Sequence, residues 1–297
     1  MDMDGYKRGK LLAEGKTKRI FAVDGQPGLV IIEHKDAITA HDNPAFTREF
    51  ATKARCSTQT TSRIFAYLEH RGVLTAFVTQ ISDTEFVARR CRMLPLEAVA
   101  RRYAVGSYLK RNPEFAVSEG LPPHRFDSPI LEFFLKTTGG ELRDTSGKIL
   151  ASDLDPLRGE EDPLIQDYLQ PEWRLFHSKK PYTDSEADLH KTVQAVEALE
   201  YRDLRIINFM ESHLLKTFGL LEQAWEQVGG YHLIDMKIEF GITTYCVPVV
   251  ADVIDNDSWR LRTRDWQELS KEVFRNGGDL SVVEQNYIRV AELVEQF

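Results

Sequence analysis

DMKIEFG, Asp235-Met236-Lys237-Ile238-Glu239-Phe240-Gly241, decides how this chain is read. At the two-residue period of a strand, Met236, Ile238 and Phe240 share one face, and Asp235, Lys237 and Glu239 share the other. YHLI precedes the stretch, and the apolar run TTYCVPVVADV follows after a short turn, so the polar face has apolar company on both sides. The two segments read as an antiparallel hairpin, with Glu239 near the end of the first strand and Asp252 on the second, both facing one pocket beside Lys237. An ion-pair ladder holding strands together is the plain reading. Buried ion pairs stabilise weakly, however, so three ionisable groups in a row favour a site.

Working outward, KLLAEGKTKRIFAV, GQPG and LVIIEHK read as paired strands around glycine-rich turns. From Thr47 to His70 the apolar positions Phe50, Ala54, Ile64, Phe65 and Leu68 fit a helix face, and Gly72 fits a C-terminal cap. Strands are expected at Leu74 to Ile81, Glu85 to Met93 and Leu96 to Arg102. Between Asn112 and Asp184 stand eight of the chain's twelve prolines, which reads as long loops with short ordered pieces. GGELRDTSGKILASD within it reads as a hairpin insertion. TDSE, Thr183 to Glu186, has capping-box form, and Leu189, Val193, Val196 and Leu199 follow at helical spacing. That helical pattern runs with interruptions to Val228, where Gly229-Gly230 ends it, and SVVE at Ser281 starts a last helix. The alternation is α+β rather than a regular βαβ series. A strand-rich part over 1–94 and a larger α+β part over 95–297 are expected.

The chain has 297 residues, 42% hydrophobic and 28% charged, enough for a sizeable core. Its net charge of −8 argues against a nucleic-acid backbone partner, while the local cluster Arg89, Arg90, Arg92, Arg101 and Arg102 leaves room for a small anion. Three cysteines far apart, Cys56, Cys91 and Cys246, give neither a disulfide framework nor metal-ligand spacing. MDMDGYKRGK has no apolar signal core, and no run is long enough to span a bilayer, so a cytoplasmic setting is expected with no membrane partner.

Three constellations carry possible chemistry. In EGKTKRIF a glycine turn precedes Lys16 and Lys18, a cation pair suited to phosphate oxygens, although solvated lysines on a hairpin edge are the commoner case. In PLEAVARRYAVGSYLKR, Arg101 ends a strand and Gly106-Ser107 opens onto Lys110 and Arg111, so guanidinium, hydroxyl and ammonium suit one anion as well as they suit a basic face. The third is the opening hairpin. Its carboxylates Glu239 and Asp252 suit Mg²⁺, which keeps waters and shares its other positions with nucleotide phosphates. DNDSWRL then adds Asp255, Asp257, Ser258 and Arg260 on an expected loop. The eight histidines, His41, His70 and His190 among them, show no metal-binding spacing, and Trp225, Trp259 and Trp266 read as core or capping residues.

EGKTKRIF, DAITAHDN (Asp36 to Asn43), PLEAVARRYAVGSYLKR, FFLK with Lys136, LIDMKIEFG and ADVIDNDSWRL, in this order, resemble the SAICAR synthetase family, the phosphoribosylaminoimidazole-succinocarboxamide synthases of purine biosynthesis. The resemblance implies a two-part α+β fold with ATP in a cleft between a strand-rich N-terminal part and a larger C-terminal part. It further implies an ATP-dependent ligase joining L-aspartate to the carboxylate of the ribonucleotide CAIR by way of an acyl phosphate. Carried over by position, Lys16 and Lys18 match phosphate-loop lysines, and Lys16, Lys237 and Asp252 the catalytic set. The backbone from Arg89 through Cys91 to Met93 matches the adenine-binding connection. Glu239 and Asp252 match metal-linked acids, with Lys237 beside the nucleotide. Glu97, Arg101, Ser107, Asp257 and Arg260 fall in segments of the substrate site, as do Asp36 and Asp42 in the early loop. Val253, His41 and Glu161 depart from the family pattern, and the stretch around Gly139 to Asp155 is an insertion. A paralogous carboxylate-amine ligase would keep Lys16, Lys18, Glu239 and Asp252 but fail with aspartate, and a regulatory protein that has lost catalysis would bind ATP without turnover.

Overall fold

Residues 5–39, 47–155, 162–181 and 189–297 are described in the computed structural model. They fall into two units, one of Met1–Arg92, Gly219–Leu233 and Gly241–Phe297, the other of Met93–Phe218 and Ile234–Phe240. A single cut near residue 94 therefore separates them only at its first crossing, because later segments return to the first unit.

In the first unit β1 (Arg8–Glu14), β2 (Lys18–Val23) and β3 (Leu29–His34) pair antiparallel as expected. The two-stranded β4 (Ala37–Thr39) and β5 (Thr47–Glu49) follow, then α1 (Lys53–His70), β6 (Phe77–Gln80), β7 (Glu85–Arg89) and β8 (Cys91–Met93). The main sheet runs β1-β2-β3-β7-β6, with Val23, Ile31 and Val87 packed together. The helix expected from Thr47 begins at Lys53 instead, because Thr47–Glu49 pairs with β4. Gly72, at φ 72°, takes the left-handed conformation that ends α1.

The second unit opens with β9 (Leu96–Tyr103) and α2 (Gly106–Arg111), followed by β10 (Arg125–Leu135), the hairpin β11 (Leu142–Arg143) and β12 (Ile149–Ala151), then β13 (Leu164–Gln166), β14 (Glu172–Phe176), β15 (Leu189–Gln194) and α3 (Ala195–Ala198). The insertion is thus the hairpin its sequence suggests. The proline-rich stretch is more ordered than composition implies: β10 is 11 residues long. It carries Pro129 where its register with β9 breaks between Arg125 and Ile130, so no ladder donor is lost. Leu189 and Val193 are not helical, since β15 pairs with β14 from Glu172 to Phe176. The TDSE capping box lies outside the described residues.

A long α4 (Arg205–Gly229) ends at Gly230, φ 70°, and leads into β16 (His232–Thr243), β17 (Pro248–Ala251), β18 (Trp259–Arg262), α5 (Glu272–Arg275) and α6 (Leu280–Leu293). DNDSWRL is therefore loop only to Ser258, with Arg260 in a strand. Trp225 and Trp259 are buried in edge-to-face contact at 5.5 Å, as core residues. The middle of β16 lies beside β9, which lies beside β10, and the order continues β13-β14-β15. Met236, Ile238 and Phe240 are almost wholly buried, as the alternation requires, and each contributes roughly 1.5–3 kcal/mol. Among the described residues no helix is long and apolar enough to cross a membrane.

Candidate active site

The polar face of β16 continues across β9 and β10 as a ladder of charge. Asp235 is the cross-strand partner of Arg101 and accepts from its Nη1 at 2.5 Å. Arg101 Nε donates to Glu132 on β10 at 2.5 Å, and Glu132 also accepts from Arg111 of α2. Further along, Lys237 Nζ donates to Glu97 Oε1 at 2.5 Å, and Lys136 Nζ to Glu239 Oε1 at 2.6 Å. The two ends differ in access to water. Side-chain exposure is 5% for Arg101 and Asp235, but 42% for Lys237 and 37% for Lys136. DMKIEFG thus holds both readings at once, a buried structural pair at Asp235 and, at Lys237 and Glu239, ion pairs whose lysines are partly exposed.

Asp162 belongs to the same neighbourhood. Its Oδ1 accepts from the backbone N–H and hydroxyl of Thr137, at 2.7 and 3.1 Å. Burial, with a smaller push from Glu97, raises its carboxyl to about 6, despite the opposing hydrogen bonds and Lys136. Such a carboxyl is half-titrated near pH 6, closer to neutrality than an ordinary aspartate, as groups that handle protons often are.

In the first unit Lys18, on β2, donates to Asp252. Asp252 follows the end of β17 in the left-handed region, φ 62°, which a residue other than glycine occupies at a cost of order 1 kcal/mol. His34 stands opposite Lys18 across β2 and β3, with its Nδ1 2.7 Å from Thr58 Oγ1. Burial, helped by the charges of Lys53 and Lys18, lowers the imidazole to about 3, so it is neutral at physiological pH. Lys16 lies in the exposed β1–β2 turn rather than in the strand, which is closed by Gly15 N–H donating to Lys18 O at 2.9 Å.

Asp257 is the hub of a second ionic group in that unit. Its Oδ2 lies 3.3 Å from Lys53 Nζ and 3.4 Å from Lys271 Nζ, and Tyr287 donates to its Oδ1. Burial opposes ionisation of Asp257, but the two lysines outweigh it and hold the carboxyl well below its usual range. Neighbouring Asp255 is pushed up by burial and by Asp257. Arg260 Nη2 lies 3.4 Å from Glu272, which also accepts from Arg275.

Other expected residues have local tasks. Asp36 Oδ1 accepts from Ala54 N–H at 3.0 Å, satisfying a donor in the first turn of α1. Arg89 Nη1 donates to the carbonyls of Thr75 and Phe77 at 2.8 Å each, which leaves the strand backbone through Cys91 and Met93 as the adenine candidate. Burial raises the Cys91 thiol to about 11, with Arg89 opposing. Arg101 Nη2 reaches Ser107 Oγ at 3.3 Å. Asp42, His41 and Glu161 lie outside the described residues. Sequence reasoning missed Lys53, Lys271 and Tyr287 around Asp257, and Glu132 and Asp162 in the ladder. Lys53 carried a signal, a lysine on a helix face otherwise filled with core residues.

Among the described residues no three or more His, Cys, Asp or Glu are grouped so that they could hold a metal ion by themselves. Glu239 belongs to the second unit and Asp252 to the first, each with a lysine of its own unit as partner. As donors they fit magnesium in kind: both are hard carboxylate oxygens, and both retain solvent access.

The sequence profile of SAICAR synthetase matches residues 11–149 and 174–293. A phosphoribosylaminoimidazole-succinocarboxamide synthase of Roseiflexus castenholzii is 37% identical over 90% of this chain and 87% of its own. A bifunctional phosphoribosylaminoimidazole carboxylase/phosphoribosylaminoimidazole succinocarboxamide synthetase of Drosophila melanogaster is 35% identical over 98% of this chain, which spans only 58% of that longer protein. A solved SAICAR synthetase in complex with ADP superposes with a TM-score of 0.69 at 25% identity, covering 96% of this chain and 97% of that one. Fold, motif order and relatives agree, and the chain belongs to the SAICAR synthetase family.

Proposed function

We propose that this chain is the ATP-dependent ligase that joins L-aspartate to the carboxylate of CAIR, giving SAICAR in purine biosynthesis. The observation that carries the reading is the more accessible end of the β16 ladder, where Lys237 and Glu239 of β16 pair with Glu97 of β9 and with Lys136 just past β10, and both lysines are partly exposed to water. The ADP complex of a family relative supports nucleotide use.

A carboxylate is a poor acyl donor. In the proposed path a carboxylate oxygen of CAIR attacks the γ-phosphorus of ATP, the bond to the β-phosphate oxygen breaks, and ADP leaves. The amine of aspartate then attacks the acyl carbon, phosphate departs with the bonding pair, and the new amide nitrogen loses its proton. The work of the protein is positioning and charge neutralisation. Lys16 and Lys18 are assigned to nucleotide phosphates, and the backbone of Arg89 to Met93 to adenine. Lys237 faces the transferring phosphoryl group. Glu239 and Asp252 are assigned as magnesium ligands, and the ion when bound supplies positive charge to phosphate oxygens. Arg101 and Ser107 are assigned to the ribonucleotide phosphate, and Glu97, Asp36, Asp257 and Arg260 to the remaining substrate contacts. Asp162, raised to about 6 and so mainly ionised at neutral pH, is suited to take the amine proton.

The test is ADP release and product mass with MgATP, CAIR and L-aspartate, each omitted in turn. Product that needs all three, and stops when EDTA removes the metal, is expected. ATP binding without product would overturn the ligase reading, and product with another amine would move it to a paralogous ligase.

A further inference from the structure

The buried end of the ladder holds more charge than joining three strands requires. Arg101, Arg111, Glu132 and Asp235 are all buried, and their charges cancel pairwise. Well-packed apolar residues of similar size would stabilise such a site as well or better, so stability is a poor explanation for four buried ions. Geometry offers a better one. Arg101 is fixed on three sides, through Nε to Glu132 Oε2, Nη1 to Asp235 Oδ2 and Nη2 toward Ser107 Oγ. Glu132 is in turn fixed, because its other oxygen accepts from Arg111 Nη2, while Arg111 Nη1 donates to the carbonyl of Ser178.

A guanidinium recognises phosphate through N–H groups in one plane, so its use depends on the orientation of that plane. On β9 alone, Arg101 would have several rotatable bonds to sample. The bonds to Glu132 and Asp235 remove that freedom and leave Nη2 beside the Ser107 hydroxyl, so that two donors converge.

We propose that Glu132, anchored by Arg111, is a positioning residue that orients Arg101 and Ser107 to grip the phosphate monoester of the ribonucleotide substrate. This rests on the assignment of Arg101 and Ser107 to that phosphate. Glu132 acts on affinity for one substrate group and takes no part in the bond-making steps.

The experiment is steady-state kinetics of Glu132→Gln with the ribonucleotide and with its dephosphorylated ribonucleoside. The substitution keeps the shape and removes the charge. The KM for the ribonucleotide should rise about 10- to 100-fold, the effect of disturbing hydrogen bonds to a charged group, with kcat within about threefold. The KM values for ATP and aspartate, and kcat/KM for the ribonucleoside, should stay at wild-type values, and Glu132→Asp should restore part of the loss. A purely structural Glu132 would lower thermal stability and active-enzyme yield without this phosphate-specific KM change, which would overturn the proposal. An equal loss with ribonucleoside would overturn it too. Arg101→Lys separates the two layers. If it leaves the ribonucleotide KM unchanged, the phosphate assignment itself fails; if it raises the KM while Glu132→Gln does not, only the positioning role falls. Should Glu132→Gln not fold, Arg111→Lys retains the charge while loosening the anchor. The same selective rise in KM supports the proposal there, and an unchanged KM overturns it.

Discussion

The two ends of the polar face of β16 carry the same kinds of residue and do different things. At Asp235 the acid is closed in by Arg101, itself shared with Glu132, and water is nearly absent. Four residues later Glu239 faces Lys136, whose side chain is 37% exposed. In the closed pair, charges must satisfy each other, because a lone ion there bears the full desolvation penalty. In the open pair water can substitute for either partner, so a phosphate or a cation can do so as well. For the acids of this strand, access to solvent and not residue type separates Asp235, which fastens Arg101, from Glu239, which can exchange its partner.

The largest effect that tests this contrast is on turnover. Asp252→Asn and Glu239→Gln should each lower kcat by at least about 10²- to 10³-fold, as loss of groups that organise developing charge does. Thermal midpoints should fall by less than for Asp235→Asn, because the Asp252 and Glu239 side chains are 27% and 14% exposed against 5% for Asp235. Near-normal rates in either variant would remove that residue from the site. At the closed end the pattern inverts: Asp235→Asn should cost about 3–5 kcal/mol of stability, the penalty for leaving Arg101 buried with one acid fewer. Urea unfolding measures it, and a cost under about 1 kcal/mol would mean that Arg101 is solvated after all.

The alternation in DMKIEFG was enough to find the strand, its apolar face and its chemistry-bearing residues, because period two is a local property of the chain. Burial along that strand was not legible. It depends on β9 and β10, and β10 hid behind Pro129 and a loop-like composition. Leu189 and Val193 failed for a related reason: apolar residues three or four apart satisfy a helix, yet pairing with β14 outweighed that local preference, and the helix forms only from Ala195, with Val196 in it. The motif residues themselves were readable in order, whereas Lys53 met Asp257 only through folding across more than 200 residues of chain, and Lys271 and Tyr287 only as the segments after it fold back.

A second contrast, in pH, separates His34 from Asp162. The His34 imidazole at about 3 lies below its ordinary 6.5, so its contribution to stability is complete above 6.5 and disappears as pH falls toward 3. Roughly 3 kcal/mol should be lost between pH 6.5 and 4 on this account, and His34→Gln should flatten that slope. Asp162 works in the other direction. Its carboxyl is raised from 3.8 to about 6, so its contribution is complete below 3.8 and lost as pH rises through 6. Asp162→Asn should therefore stabilise the fold at pH 7 by about 1–2 kcal/mol, while removing any proton transfer it performs. Denaturation series across pH check both signs, and a stability curve unchanged by His34→Gln would show that this ring is hydrated.

The smallest effect belongs to a second ladder, across β1, β2 and β3 of the first sheet. There Glu33 meets Arg8 at 3.0 Å and Arg19 at 3.1 Å, an acid between two guanidiniums just as Glu132 lies between Arg101 and Arg111. The arrangement is alike and the medium is not, since both arginines of the outer ladder are about 40% exposed. Water and salt screen such pairs, and ordering long side chains offsets much of their attraction. Glu33→Gln should shift the thermal midpoint by less than about 2 °C, and raising salt to 0.5 M should erase the difference. A shift as large as that of Asp235→Asn would mean that bond count rather than burial governs these ladders.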